Sequence, residues 1–111
     1  MESNIIDVKS LVEFSPIRII KKDLIDAEKF DIALICLELG QEIPSHPENY
    51  DAVFFVLKGE GVFTIGEEKL TLKEGSMIFS SKEKVRGIRS LKRLSILGIR
   101  ERVKDGKSEV N

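Results

Sequence analysis

The chain has 111 residues, 41% hydrophobic and 33% charged, with three prolines and no tryptophan. That composition suits one globular domain with a modest core and excludes disordered and fibrous classes. A net charge of −1 with no basic stripe argues against nucleic acid as a partner, and no apolar run approaches the ~18 residues of a transmembrane helix. The opening MESNIIDVKSLVEF lacks the basic-then-apolar order of a secretory signal. The lone Cys36 lies in the apolar run ALICLEL, where it reads as a buried structural thiol without a disulfide partner. These features point to a cytoplasmic protein that does not engage membranes. Charge carried largely by Lys and Glu, with few Asn, Gln, Met and Cys, is the bias of heat-adapted proteomes.

In chain order, residues 1–14 are compatible with a short strand, a helical turn or an arm packing on a partner. SPIRIIKKDLI (15–25) suits a strand that joins the main sheet. We therefore expect an N-terminal arm or strand over 1–29, a barrel over 30–103 and a charged, frayed tail over 104–111. Strands are expected at 31–39, 51–57, 62–65, 69–72 and 76–80, each bounded by glycine or turn residues. Two more follow within VRGIRSLKRLSILGIRERV, with a turn near Ser90. Regular strands with glycine turns define an all-β sandwich or barrel. In DAVFFVL both alternating sets are apolar: Ala52, Phe54 and Val56 on one side, Val53, Phe55 and Leu57 on the other. A strand apolar on both sides needs cover on both, so the N-terminal arm or a second copy must supply it. A homodimer built on this sheet is the expectation.

The segment GQEIPSHPENYDAVFFVLKGEG (40–61) holds the only histidine. Gly40, His46 after five intervening residues, and Gly59 resemble the first conserved motif of the cupin superfamily, and Gly75 to Gly87 resembles the second. The resemblance spans about residues 30–100. It implies a double-stranded β-helix, a jelly-roll barrel whose open mouth holds a ligand or metal. Of the four metal ligands usual in that superfamily, only His46 is present. Glu48 replaces the second histidine, Ala52 the carboxylate and Arg86 the third histidine, while Ser81 replaces a proline. Three imidazoles cannot come from one, and a permanent guanidinium charge opposes a bound cation. No metal and no cofactor are therefore expected.

The mouth residues implied are His46, Glu48, Tyr50 and Arg86, with Glu48 and Arg86 expected to form an ion pair in place of a metal. His46 is the candidate general acid/base. KEKVRGIRSLKR (82–93) carries six cations and one anion; it is a solvated strand and turn or an anion-attracting rim built from Arg86 and Arg89. GEG at 59–61 opens no helix and is no phosphate loop, and Ser80-Ser81 has no histidine neighbour for a hydrolase. Binding or sensing of a small molecule is the leading expectation, with an anionic ligand as one option. The alternative is an enzyme of small-molecule metabolism: a metal-free isomerase or epimerase, or an oxygenase or isomerase with an irregular metal site. A third possibility is a pocket filled by Phe54, Phe63 and Phe79.

Overall fold

The computed structural model describes residues 4–102; the tail expected at 104–111 lies outside them. A single helical turn, α1 (Val8–Leu11), precedes nine strands: β1 (Ile20–Asp26), β2 (Phe30–Leu37), β3 (Glu42–Pro47), β4 (Ala52–Lys58), β5 (Glu60–Ile65), β6 (Glu68–Lys73), β7 (Met77–Ser80), β8 (Val85–Ser90) and β9 (Leu94–Glu101). They form a five-stranded sheet in the order β1-β2-β9-β4-β7 and a four-stranded sheet in the order β3-β8-β5-β6, with antiparallel pairing throughout. This is the expected all-β double-stranded β-helix. Among the described residues no helix is long and apolar enough to cross a membrane.

The core lies between the sheets. Leu37, Val56, Phe63, Leu72, Ile88, Leu94 and Ile96 are buried together there, with Phe54 packed against them. Each such side chain contributes about 1.5–3 kcal/mol. The Phe54 and Phe63 rings meet inside the barrel with centroids 6.0 Å apart. Phe79 does not join them. Its register partner is Val53, so it stands on the outer face of the five-stranded sheet and is 59% exposed.

β4 faces two cores, as its doubled apolar pattern requires. Val56 belongs to the inner one, while Leu57 packs on a second cluster of Ile20, Leu34 and Cys36 on the outer face. Val56 and Leu57 are consecutive and so point to opposite faces; a bulge between Val56 and Lys58 opposite Ser95 follows at the end of the strand. The N-terminal segment lays Val8, Leu11, Val12 and Phe14 over that cluster, covering it with its own chain. Burial also pushes the Cys36 thiol up, which keeps it an inert packing group.

Polar contacts hold the arm down. Arg93 donates to both oxygens of Glu38 at 2.8 and 3.0 Å and lies 5.0 Å from the Phe14 ring. Gln41 Nε2 donates to the Ser15 carbonyl at 2.9 Å, and Lys22 Nζ to the Leu11 carbonyl at 2.9 Å. The Arg93 guanidinium holds the Glu38 carboxyl below the usual carboxylate range.

One strand is not evident from composition. β3 contains Pro44 and Pro47, which cannot donate to a ladder, yet it forms because it is the edge of its sheet. At the far side of the barrel, Gly59 connects β4 to β5 with φ +96°, and a Cβ there would lie 1.9 Å from the Arg93 carbonyl oxygen. Gly59→Ala is expected to cost on the order of 3 kcal/mol or more, from backbone strain plus overpacking. Thermal or urea unfolding checks this; a loss below about 1 kcal/mol would mean that the 91–93 turn yields freely.

Candidate functional site

The mouth of the barrel is the end where β4 and β8 begin and β7 and β9 finish. A bulge shapes it. Ile43 pairs with Ile88 and His46 with Arg86, so Pro44 and Ser45 together face Gly87. This extra residue lets Ile43 and His46, three apart, share the face of Ile88 and Arg86. Gly87 is what allows it, since a Cβ there would meet Ser45 Oγ at 2.7 Å and the Ile43 carbonyl oxygen at 3.0 Å. His46 is therefore aimed at the mouth, but from its rim, with 72% of its side chain exposed.

Arg86 reaches inward and is only 7% exposed. Its Nη2 donates to the Tyr50 carbonyl at 2.7 Å and to the Ser81 carbonyl at 3.2 Å, bridging the loops that enter β4 and leave β7. The same loops are tied by Lys82 N donating to Asp51 Oδ1 at 2.8 Å and Glu83 N donating to the Glu48 carbonyl at 2.6 Å. Glu83 sits at φ +73°, an unusual conformation for a residue with a Cβ. The Tyr50 ring carries two guanidinium groups, Arg86 at 5.1 Å and Arg100 at 5.3 Å from its centroid, contacts worth about 0.5–1 kcal/mol each at exposed sites. Arg100 Nε donates to both Asp31 oxygens at 2.9 and 3.0 Å. Asp31 first, and Tyr50 second, push Arg100 further up and keep it charged.

The expected Glu48–Arg86 ion pair does not form among the described residues. Glu48 lies in the turn beyond Pro47 and faces His46, with Nδ1 to Oε2 at 3.4 Å. Arg86 instead keeps Nε and Nη1 buried without a hydrogen-bond partner. Ser80 Oγ, fully buried at the end of β7, is likewise unpartnered. These three atoms are the only buried side-chain orphans among the described residues, and all belong to this end of the barrel. The other cations of 82–93 disperse. Arg89 lines a groove on the outer face of the four-stranded sheet with Glu42, Thr64 and Lys69, away from the mouth, while Lys92 and Arg93 pair with Glu60 and Glu38. Lys82 and Lys84, exposed in the turn between β7 and β8, stay with Arg86 at this end of the barrel.

Of the residues at this end of the barrel, sequence reasoning named His46, Glu48, Tyr50 and Arg86 for the mouth and did not place Ser80, Arg100 or Asp31 there. Arg100 stands opposite Ala52 and Asp31 opposite Arg100 in the sheet. Only the strand register reveals that, because both are distant in sequence from the turns that form the mouth.

A divalent ion does not fit this mouth. Ala52 offers no donor, Arg86 brings a buried positive charge, and among the described residues no three His, Cys, Asp or Glu side chains gather to hold one.

Known proteins bear this architecture out. The family model for the cupin domain matches residues 33–95, more than half of the chain. The chain belongs to the cupin superfamily. No curated protein matches it significantly. Among solved structures it is similar to TT1209 from Thermus thermophilus, with 29% identity, TM-score 0.81, and 87% of this chain and 95% of that one covered. A conserved Streptococcus pyogenes protein of unknown function, SPY1581, superposes with TM-score 0.82 at 20% identity, covering 95% and 92% of the two chains. An uncharacterised double-stranded β-helix protein from Klebsiella pneumoniae gives TM-score 0.80 at 21% identity over 90% of each.

A buried guanidinium with open donors costs stability unless something answers it. Arg86→Met, similar in length and apolar, is expected to leave the ligand-free protein as stable or up to about 2 kcal/mol more stable. Calorimetry of the two proteins tests this. A loss above about 3 kcal/mol would make the bridge to Tyr50 and Ser81 the main role of Arg86.

Proposed function

We propose that the protein is a small-molecule binding or sensing cupin that works without the superfamily's usual metal site, acts in the cytoplasm, and takes an anionic ligand at the mouth formed by His46, Glu48, Tyr50 and Arg86. One observation carries it: Arg86 is buried and uncompensated, with Nε and Nη1 open and the Ser80 hydroxyl unpartnered at the same end. Folding has little reason to keep an unpaired charge there, whereas a ligand anion would satisfy both charge and donors. Tyr50 orients the guanidinium by stacking, and the paired Arg100–Asp31 closes the side of the mouth without adding net charge. The direct experiment is a thermal-shift and native mass-spectrometry screen of anionic and neutral small molecules, with Arg86→Gln alongside. Hits confined to anions and lost in Arg86→Gln support the proposal; hits that ignore the substitution overturn it.

A second reading rests on His46 and Glu48, which meet at 3.4 Å on the rim. In a metal-free isomerase or epimerase this pair would move a proton to and from a ligand held by Arg86. Turnover of a bound ligand that disappears in His46→Gln while affinity persists would favour this enzyme over a sensor.

The partner reading is a homodimer. Met77 and Phe79, 63% and 59% exposed, flank the half-buried Val53 and Phe55 on the outer face of the five-stranded sheet, beyond the reach of the arm. An uncharged apolar face at a sheet edge is complementary to itself, as a two-fold dimer requires. Light scattering at micromolar concentration should give the dimer mass, and Phe79→Glu a folded monomer. A monomeric wild-type protein would exclude it.

A further inference from the structure

We infer that two copies of the chain pack face to face on the outer face of the five-stranded sheet with their strands antiparallel, so that the mouths open at opposite ends and each N-terminal arm lies against the partner's mouth end. The inference rests on the homodimer reading and adds the extent and orientation of the interface. It starts from one row of the sheet. Ile25 pairs with Ile32, Ile32 with Ile99, Ile99 with Val53 and Val53 with Phe79, so an apolar side chain from every strand stands in one line on one face. That face is the outer one, because Leu34 and Leu97, two residues from Ile32 and Ile99, belong to the cluster beneath the arm. No member of the row belongs to that cluster. Phe79 and Ile25, at its two ends, are 59% and 39% exposed, and Phe30 and Met77 beside it 41% and 63%. The charged residues nearest the row on this face are Lys22 and Glu101. Lys22 is held by Glu13 at 2.9 Å, and Glu101 accepts the Asp51 amide at 3.0 Å. Neither interrupts the row.

The arm fixes the orientation by its thickness. It occupies the end of the outer face away from the mouth, over Ile20, Leu34 and Cys36. Stacked sheets lie about 10 Å apart, and a helical turn with its side chains is about as thick. One arm fits between two sheets; two arms stacked on each other do not. A two-fold axis along the strands would set arm opposite arm, or shrink the overlap to β4 and β7 and leave Ile25, Ile32 and Phe30 in water. An axis along the row sets β7 on β7 and β1 on β1, matches the row with itself, and turns each arm toward the partner's mouth end. Area favours the same arrangement. Three residue rows across the five strands enclose on the order of 500 Å², less than the roughly 800 Å² per partner of a standard interface. The arm makes up the difference only where it meets the partner. A patch with no charge at its centre is suited to such two-fold contact with its own copy.

The test labels the two ends of the row in the full chain. Ile25→Cys and Phe79→Cys are made separately; both positions are exposed, and the native Cys36 is fully buried, so the wild-type protein gives the unreacted background. Each variant alone, and the two after subunit exchange, is treated with a short bismaleimide, while light scattering gives the wild-type mass. The expected result is a wild-type dimer and a covalent dimer from the greater part of each variant alone. A covalent dimer in the exchanged mixture only would put the mouths at the same end; that overturns the orientation and leaves the homodimer standing. A cross-link in one variant but not the other confines the overlap to one edge of the sheet and overturns the full-row interface. A wild-type dimer that cross-links in no sample uses another face, against both this inference and the role given to Met77 and Phe79. A monomeric wild-type protein overturns the homodimer itself and leaves the row to a different apolar partner.

Discussion

A strand that is apolar on both faces has to be covered on both, and β4 imposes that demand on a chain of 111 residues. The inner face is met by the four-stranded sheet, which brings Phe63, Leu72 and Ile88 against Val56 and Phe54. The outer face is met only in part. The arm covers Leu57 and the Leu34–Cys36 cluster, while Val53 and Phe55 are left beside the exposed Met77 and Phe79. Much of the remaining structure follows from this division. The Glu38–Arg93 pair and the Gln41 contact hold the cover in place.

The mouth obeys a different logic. Elsewhere among the described residues a polar side-chain atom either reaches solvent or finds a partner, yet here three buried atoms have none. Hydrogen bonds to Tyr50 and Ser81 fix the guanidinium in place, which adds rigidity without removing its charge. The cost of dehydrating and orienting Arg86 falls on folding, so an anion arriving there would meet donors already in position. Glu83, held at φ +73° in the adjoining turn, is a second local cost at the same place.

Most of the fold was legible because hydrophobic alternation and glycine spacing report directly on strands, and β2, β4, β5, β6, β7, β8 and β9 all fall within or close to the expected runs. β3 was hidden by its prolines, which are compatible with a strand only at an edge, and edge position is not written locally. At the site, the motif spacing located His46, Glu48, Tyr50 and Arg86 at one end of the barrel. Contacts were less accessible. The bulge at Pro44–Ser45 re-aims His46, and the turn after Pro47 carries Glu48 away from Arg86. Phe79 could be inside or outside depending on a register one residue either way, and only pairing with Val53 decides.

β7 is four residues long, and its alternate residues belong to different worlds. Met77 and Phe79 face outward across the open sheet, while Ile78 and Ser80 face the barrel interior. The strand is consequently intolerant of changes in length. Losing or gaining one residue anywhere between Gly75 and Ser80 would exchange the two sets, drawing an aromatic ring into the mouth and sending the buried hydroxyl to solvent. Among sequences that share this architecture, the spacing through this segment should be rigidly kept.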